Sequence, residues 1–123
     1  MSTIKDKNLA TIGQQEVDWA ARQMKVLEEI KTEFSSSKPL NGLNIGACMH
    51  VTKETANLML TLKAAGANVA LCASNPLSTK DSVAAYLSEN DIEVHAVHGV
   101  SNEDFFQHLN SVLDTNPAIT MDD

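Results

Sequence analysis

The sequence predicts an α/β fold: a mainly parallel, Rossmann-like (flavodoxin-like) open sheet of about four strands with helices on both faces. Three observations lead there. Four short apolar runs recur between residues 43 and 123. The stretches between them are about ten to fifteen residues long and carry helical spacing. Turn and capping residues mark where those stretches begin and end. Strands alternating with helices form βαβ units, and these impose parallel pairing with helices over the sheet.

The elements follow in order. Residues 14–34, QQEVDWAARQMKVLEEIKTEF, place Val17, Ala20, Ala21, Met24, Leu27, Ile30 and Phe34 at the 3.6 period of an amphipathic helix. One long first helix is expected, closed by SSSKPLNG, since helical hydrogen bonding cannot continue past Pro39. LNIGACM (43–49) is the first strand. KETANLMLTLKAAG (53–66) is a helix with Gly66 as its stop. ANVALCAS (67–74) is the second strand. STKD (78–81) has the form of a capping box, Ser78 with Asp81, opening the helix SVAAYLSEN. IEVHAV (92–97) is the third strand, and SNED (101–104) is a second box before FFQHLNSVLDT. AITMDD (118–123) is the fourth strand. The chain stops there with no covering element, so a domain interrupted after strand 4 is expected.

Composition removes several function classes. At 123 residues and 43% hydrophobic content, one domain with a real core is expected. A net charge of −7 offers no footprint for nucleic acid. The N-terminus lacks the apolar centre of a signal peptide, and no run reaches the roughly 18 apolar residues of a membrane span, so a soluble, cytoplasmic protein with no membrane partner is expected. Cys48 and Cys72 lie inside apolar runs without a CxxC pairing and read as buried thiols; no zinc or other metal site is expected. His95 and His108 read as structural or solvent-facing. Neither GxGxxG nor GxxxxGK[ST] occurs, so the chain is not expected to bind a dinucleotide unaided.

In an open parallel sheet, ligands bind beyond the carboxyl ends of the strands, where strand order reverses. That rule selects His50, Thr52 and Glu54 after the first strand, and Ser74, Asn75, Ser78 and Thr79 after the second. His98 follows the third strand, and Asp122 and Asp123 end the fourth. With the order 3-2-1-4, His50 and Asp123 approach one another. Plainer readings stand beside this one. Thr52 serves equally as a helix cap, and Glu54 equally complements the helix's positive end, worth roughly 0.3–1 kcal/mol. Asn75-Pro76 is an ordinary turn, Ser78 a cap, and Asp122-Asp123 equally a solvated strand end. From these residues alone the reading stops at an α/β domain with a polar crevice.

The segments KPLNGLNIGACMHVTKETANLMLTLKAAGANVALCASNPLSTKDSVAAYL and AITMDD, with the DWAARQM helix, resemble the N-terminal, substrate-binding part of the S-adenosylhomocysteine hydrolase (adenosylhomocysteinase) family from about residue 8 onward. The motif H-x-T-x-E-T at His50–Thr55, with Asn-x-x-Ser-Thr-x-Asp at residues 75–81, is specific to it. The resemblance implies an NAD-dependent hydrolase that converts S-adenosylhomocysteine to adenosine and homocysteine. The cofactor takes a hydride from the ribose 3′ carbon, elimination and water addition follow, and the hydride returns. It implies Thr52 and Glu54 at the adenine edge, with the Glu54 carboxylate accepting from the exocyclic amine. It implies His50 near the 5′ position and Asp123 as the acid managing water and leaving thiol. Asn75, Ser78 and Thr79 are implied around the pocket.

Two departures from the family pattern bear on the site. Ser74 stands where many relatives have Cys. Lys80 stands where many have a Gln associated with a monovalent cation, and its ammonium is expected to supply that charge directly. The family's catalytic lysine, its Gly-rich NAD loop and the elements that build its homotetramer all lie beyond the matched region. Residues 1–123 are therefore expected to be the N-terminal portion of a substrate-binding domain, with residues 1–40 as first helix and linker and residues 41–123 as βαβ units. Alone it is expected to be inactive, and its unfinished sheet edge to invite self-association. The alternative is a stand-alone nucleoside-binding or interaction module of the same fold.

Overall fold

The computed structural model describes residues 1–123. A 3-10 turn at Lys7–Leu9 leads into α1 (Ala10–Ala21) and α2 (Lys25–Ser37). There follow β1 (Asn44–Cys48), α3 (Lys53–Ala64), β2 (Asn68–Cys72), α4 (Asp81–Glu89), β3 (Glu93–His95), α5 (Asn102–Leu113) and β4 (Ile119–Asp122). The four strands are parallel in the order β3-β2-β1-β4, as the crevice reading required. The fold class is thus α/β, an open Rossmann-like sheet.

Side chains alternate across the sheet, so each strand feeds two clusters. Ile45, Ala47, Val69, Leu71 and Val94 join Val17, Met59, Val83 and Leu87 under α1, α3 and α4. Ala70, Cys72 and the half-buried Cys48 meet Val112 and Leu109 of α5 on the opposite face. Each fully buried Leu, Met or Val contributes about 1.5–3 kcal/mol, so the first, larger cluster carries most of the stability. No helix is long and apolar enough to cross a membrane.

The structure corrects the sequence reading at the first helix. The expected single helix is two, broken at residues 22–24, where Gln23 and Met24 close a tight turn on the carbonyls of Ala20 and Ala21 and Met24 leaves helical geometry (φ −115°, ψ 56°). The cause is tertiary. Val17 and Ala20 of α1 are buried against α3 and α4, whereas α2 has no buried residue and packs on α3 alone. The two segments follow different surfaces, and the apolar period runs through the corner by coincidence. Ser78 is a second correction. It does not cap α4: its Oγ donates to the Asn75 carbonyl at 3.1 Å and accepts from the Asn75 amide at 3.2 Å, and the N-cap position is Lys80, with no side-chain cap.

Other boundaries fall as expected. Ser101 caps α5 by accepting from the Asp104 amide at 3.1 Å. Gly66 follows α3 at φ +99°, and a Cβ there would come within 2.8 Å of Asn41 Cα, so both conformation and space require glycine. An N-terminal arm was not anticipated. Thr3 pairs in parallel with His95, donating its amide to the Val94 carbonyl at 2.8 Å and accepting from the Ala96 amide at 3.0 Å, so the arm covers the β3 edge.

His95 and His108 are both buried and structural. The His95 ring lies between Thr3 Oγ1 (3.1 Å from Nδ1) and Glu93 Oε1 (2.8 Å from Nε2), 6.5 Å from the His108 ring. Burial first, and His95 second, hold His108 below its ordinary value of 6.5, against a smaller upward pull from Asp104. The native state therefore takes up a proton on this imidazole less readily than the unfolded chain does, so stability falls as pH drops through 6.5. Urea midpoints at pH 7.5 and 5.5 are expected to fall less for His108→Gln than for the parent chain. An identical fall in both would remove His108 from the acid response.

Candidate functional site

The site is built by a splice between two loops. The turn after β1 and the loop after β2 form a parallel bridge, Val51 with Thr79. The Val51 amide donates to the Ser78 carbonyl at 2.8 Å, and the Lys80 amide donates to the Val51 carbonyl at 2.9 Å. Val51 is fully buried. Its neighbours His50 and Thr52 therefore point outward, by the period-two alternation of extended chain. Asn75 tightens its own loop by accepting from the Leu77 amide through Oδ1 at 2.9 Å. The result is an open depression of about 440 Å³ whose lining includes His50, Thr52, Asn75, Ser78, Thr79, Lys80 and His98. Seven of the eleven candidate residues are thereby brought together.

Glu54 faces elsewhere. Thr52 caps α3 by accepting from the Thr55 amide at 3.4 Å, so Glu54 falls in the first helical turn with a largely exposed carboxylate, 3.8 Å from Lys53 Nζ. It lines a second cleft of about 780 Å³ with Arg22, Met24, Leu27, Ile30 and Leu58, between α3 and the α1–α2 corner. The polar depression and the apolar cleft meet across the N-terminus of α3. Asp123 lines neither. Because Cys48 of β1 is paired with Asp122 of β4, Asp123 and His50 leave adjacent strands at one rim of the sheet.

Further groups support the rim, and Glu16 among them carried no sequence signal. Glu16 of α1 accepts a hydrogen bond from Ser82 Oγ and lies 3.8 Å from Lys80 Nζ, so the Lys80 charge is partly answered from within the chain. Asp81 accepts from the His98 amide at 2.9 Å and meets Lys5 at 3.7 Å, which holds the loop carrying His98 against the depression. The hydroxyls of Ser74 and Thr79 are buried with no partner. Such a group costs about 1–3 kcal/mol, a cost carried beside the depression rather than in the core. These pairings join residues up to 76 positions apart (Lys5 to Asp81), beyond any local motif.

The family model described as S-adenosyl-L-homocysteine hydrolase matches residues 1–123. Among curated proteins, the chain is 48% identical over 120 residues to the adenosylhomocysteinase of Sulfolobus acidocaldarius, covering 98% of the chain and 29% of that protein. It is 50% identical over 121 residues to the adenosylhomocysteinase of Saccharolobus solfataricus and 49% identical over 121 residues to that of Aquifex aeolicus, with 98% of the chain and 29% of the relative covered in each case. The chain thus spans under a third of the length of these relatives.

Proposed function

The chain belongs to the S-adenosyl-L-homocysteine hydrolase family, and on that premise we propose that it supplies one wall of the nucleoside site of an adenosylhomocysteinase, which cleaves S-adenosylhomocysteine to adenosine and homocysteine. The observation that carries this reading is the meeting of the two depressions at the start of α3, with Thr52 on one side and Glu54 on the other. A purine laid across that helix end meets an apolar surface from Leu58 and Met24, a carboxylate acceptor and a threonine hydroxyl. Its ribose then projects into the hydroxyl-rich depression below His50.

Within this reading Glu54 accepts from the exocyclic amine and Thr52 holds the ring edge. Asn75, Ser78 and Thr79 shape the ribose side, and Lys80 supplies positive charge. His50 and Asp123, on adjacent strand ends, move protons at the 5′ carbon and the thioether sulfur. Catalysis is a property of a complete constellation, so a single wall retains little of it and the chain alone is inactive. NAD does not fit here. The strand-to-helix turns carry His50-Val51-Thr52 and Asn75–Lys80 rather than the glycines that let a backbone come close to a pyrophosphate. The cofactor, and the homotetramer of the family, belong to the regions of longer members that this chain does not span.

Titration with adenosine, followed by amide chemical shifts, tests the reading. Shifts confined to residues 22–30, 50–58 and 74–80 are expected, with a dissociation constant of about 1 mM, since about −4 kcal/mol is what a few polar contacts on an open wall can leave after ordering costs. Shifts centred on α5 or the β4 edge would overturn it.

A further inference from the structure

We propose that Cys48 and Cys72 form a redox-sensitive dithiol that a hydroperoxide closes to a reversible disulfide at the rim of the site. The two residues are direct register partners on neighbouring parallel strands, and Asp122 is the partner of Cys48 on its other side, so a thiol, a thiol and a carboxylate stand in one row across β2, β1 and β4. Both thiols face α5, where Ala70, Val112 and Leu109 surround them. Both are free, Cys72 buried and Cys48 half-exposed.

Geometry favours an intramolecular bridge. Paired strands run roughly 4.8 Å apart, inside the Cα separation of about 4.4–6.8 Å that a disulfide spans. In-register side chains on a parallel pair keep nearly that same spacing at Cβ, above the roughly 3.8 Å a relaxed disulfide prefers. The bridge is therefore strained, and a strained bridge is easily reduced, which is the property of a regulatory disulfide rather than a structural one.

The chemistry balances with two thiols and one peroxide. The Cys48 thiolate, the one solvent reaches, attacks the O–O bond; it becomes a sulfenic acid, and the leaving oxygen takes a proton as water or alcohol. Cys72 sulfur then attacks Cys48 sulfur, the S–S bond forms, and the hydroxyl leaves as a second water. Two sulfurs are oxidised by one electron each and the peroxide is reduced by two. Closure reaches the site through the backbone, because Cys48 stands two residues before His50 and Cys72 two before Ser74, and it also removes the hydrogen bond that the Cys48 sulfhydryl donates to the Ala73 carbonyl at 3.6 Å.

Burial pushes both thiols above their ordinary value of 9.0; Asp122 and Asp123 push Cys48 further and Cys72 pulls it back in part, while Cys48 adds to the rise at Cys72. Thiolate is scarce at neutral pH as a result, so closure is slow there and its rate rises about tenfold per pH unit between pH 7 and 8.5. Treatment of the purified chain with hydrogen peroxide at pH 8.5, quenched by alkylation and read by mass spectrometry, tests this. The expected product is a monomer lighter by about 2 Da, with the Cys48 and Cys72 peptides cross-linked, restored by dithiothreitol and absent in Cys48→Ser and in Cys72→Ser. Gains of about 32 or 48 Da on Cys48 without cross-linking, disulfide-linked dimers, or thiols that remain titratable after prolonged treatment would each overturn it.

Discussion

Alanine at position 13 is expected to destabilise the fold by about 3 kcal/mol or more, among the largest effects of any single methyl group in this chain. Gly13 lies on α1 where it crosses α4, and a Cβ there would overlap the Ser82 carbonyl oxygen, stand 2.6 Å from the Ser82 carbonyl carbon and 2.9 Å from Tyr86 Cβ. The obstacle is helix backbone, which cannot rotate away as a side-chain tip can. Alanine would gain up to about 1 kcal/mol over glycine in helix propensity, which the overlap exceeds. The damage extends to the rim: Glu16, one turn further along α1, holds Ser82 and Lys80, so forcing the helices apart withdraws Lys80 from its place. The urea midpoint is expected to drop by at least about 1 M, while the exposed Gln14→Ala next to it changes little. A midpoint equal to or above the parent's would mean that α1 and α4 do not cross this closely.

The elements legible in the sequence were those set by local rules. Short apolar runs between helical stretches sufficed for four parallel strands, while their order, which the sequence reading carried only as a condition, comes from the structure; Ser101 and Gly66 acted where motif and conformation coincide. What escaped was decided between distant segments. The corner at residues 22–24 contains neither Gly nor Pro, and only the different burial of α1 and α2 explains it. Ser78 matched a capping box but is held extended by the Val51 splice, so a tertiary backbone bond outweighed a local motif. The candidate residues after β1 and β2 were found by the rule for strand ends. The same rule could not see that Glu54, a helical residue, turns to a separate apolar cleft. Nor could it see that Glu16 and Asp81 support the rim from α1 and from the first turn of α4.

Glu54→Gln is expected to erase the preference of the site for adenosine over inosine, a change of about tenfold in the ratio of dissociation constants. An ionised carboxylate only accepts, so it matches the amine of adenine and opposes the carbonyl oxygen that replaces it in hypoxanthine. A glutamine amide presents both a donor and an acceptor and serves either base by rotating. The size follows from a charge-assisted hydrogen bond, about 1.5–3 kcal/mol, reduced toward its lower end because the Glu54 side chain is 57% exposed and shares its charge with Lys53. Glu54→Ala removes the acceptor altogether and is expected to take adenosine shifts below detection without favouring inosine. Glu103→Gln, exposed at the start of α5, removes the same charge far from the cleft and is expected to leave the ratio unchanged. Equal ratios for the parent chain and Glu54→Gln would separate the carboxylate from base recognition and return Glu54 to a helix-end charge, for which about 0.3–1 kcal/mol of stability is the whole of its contribution.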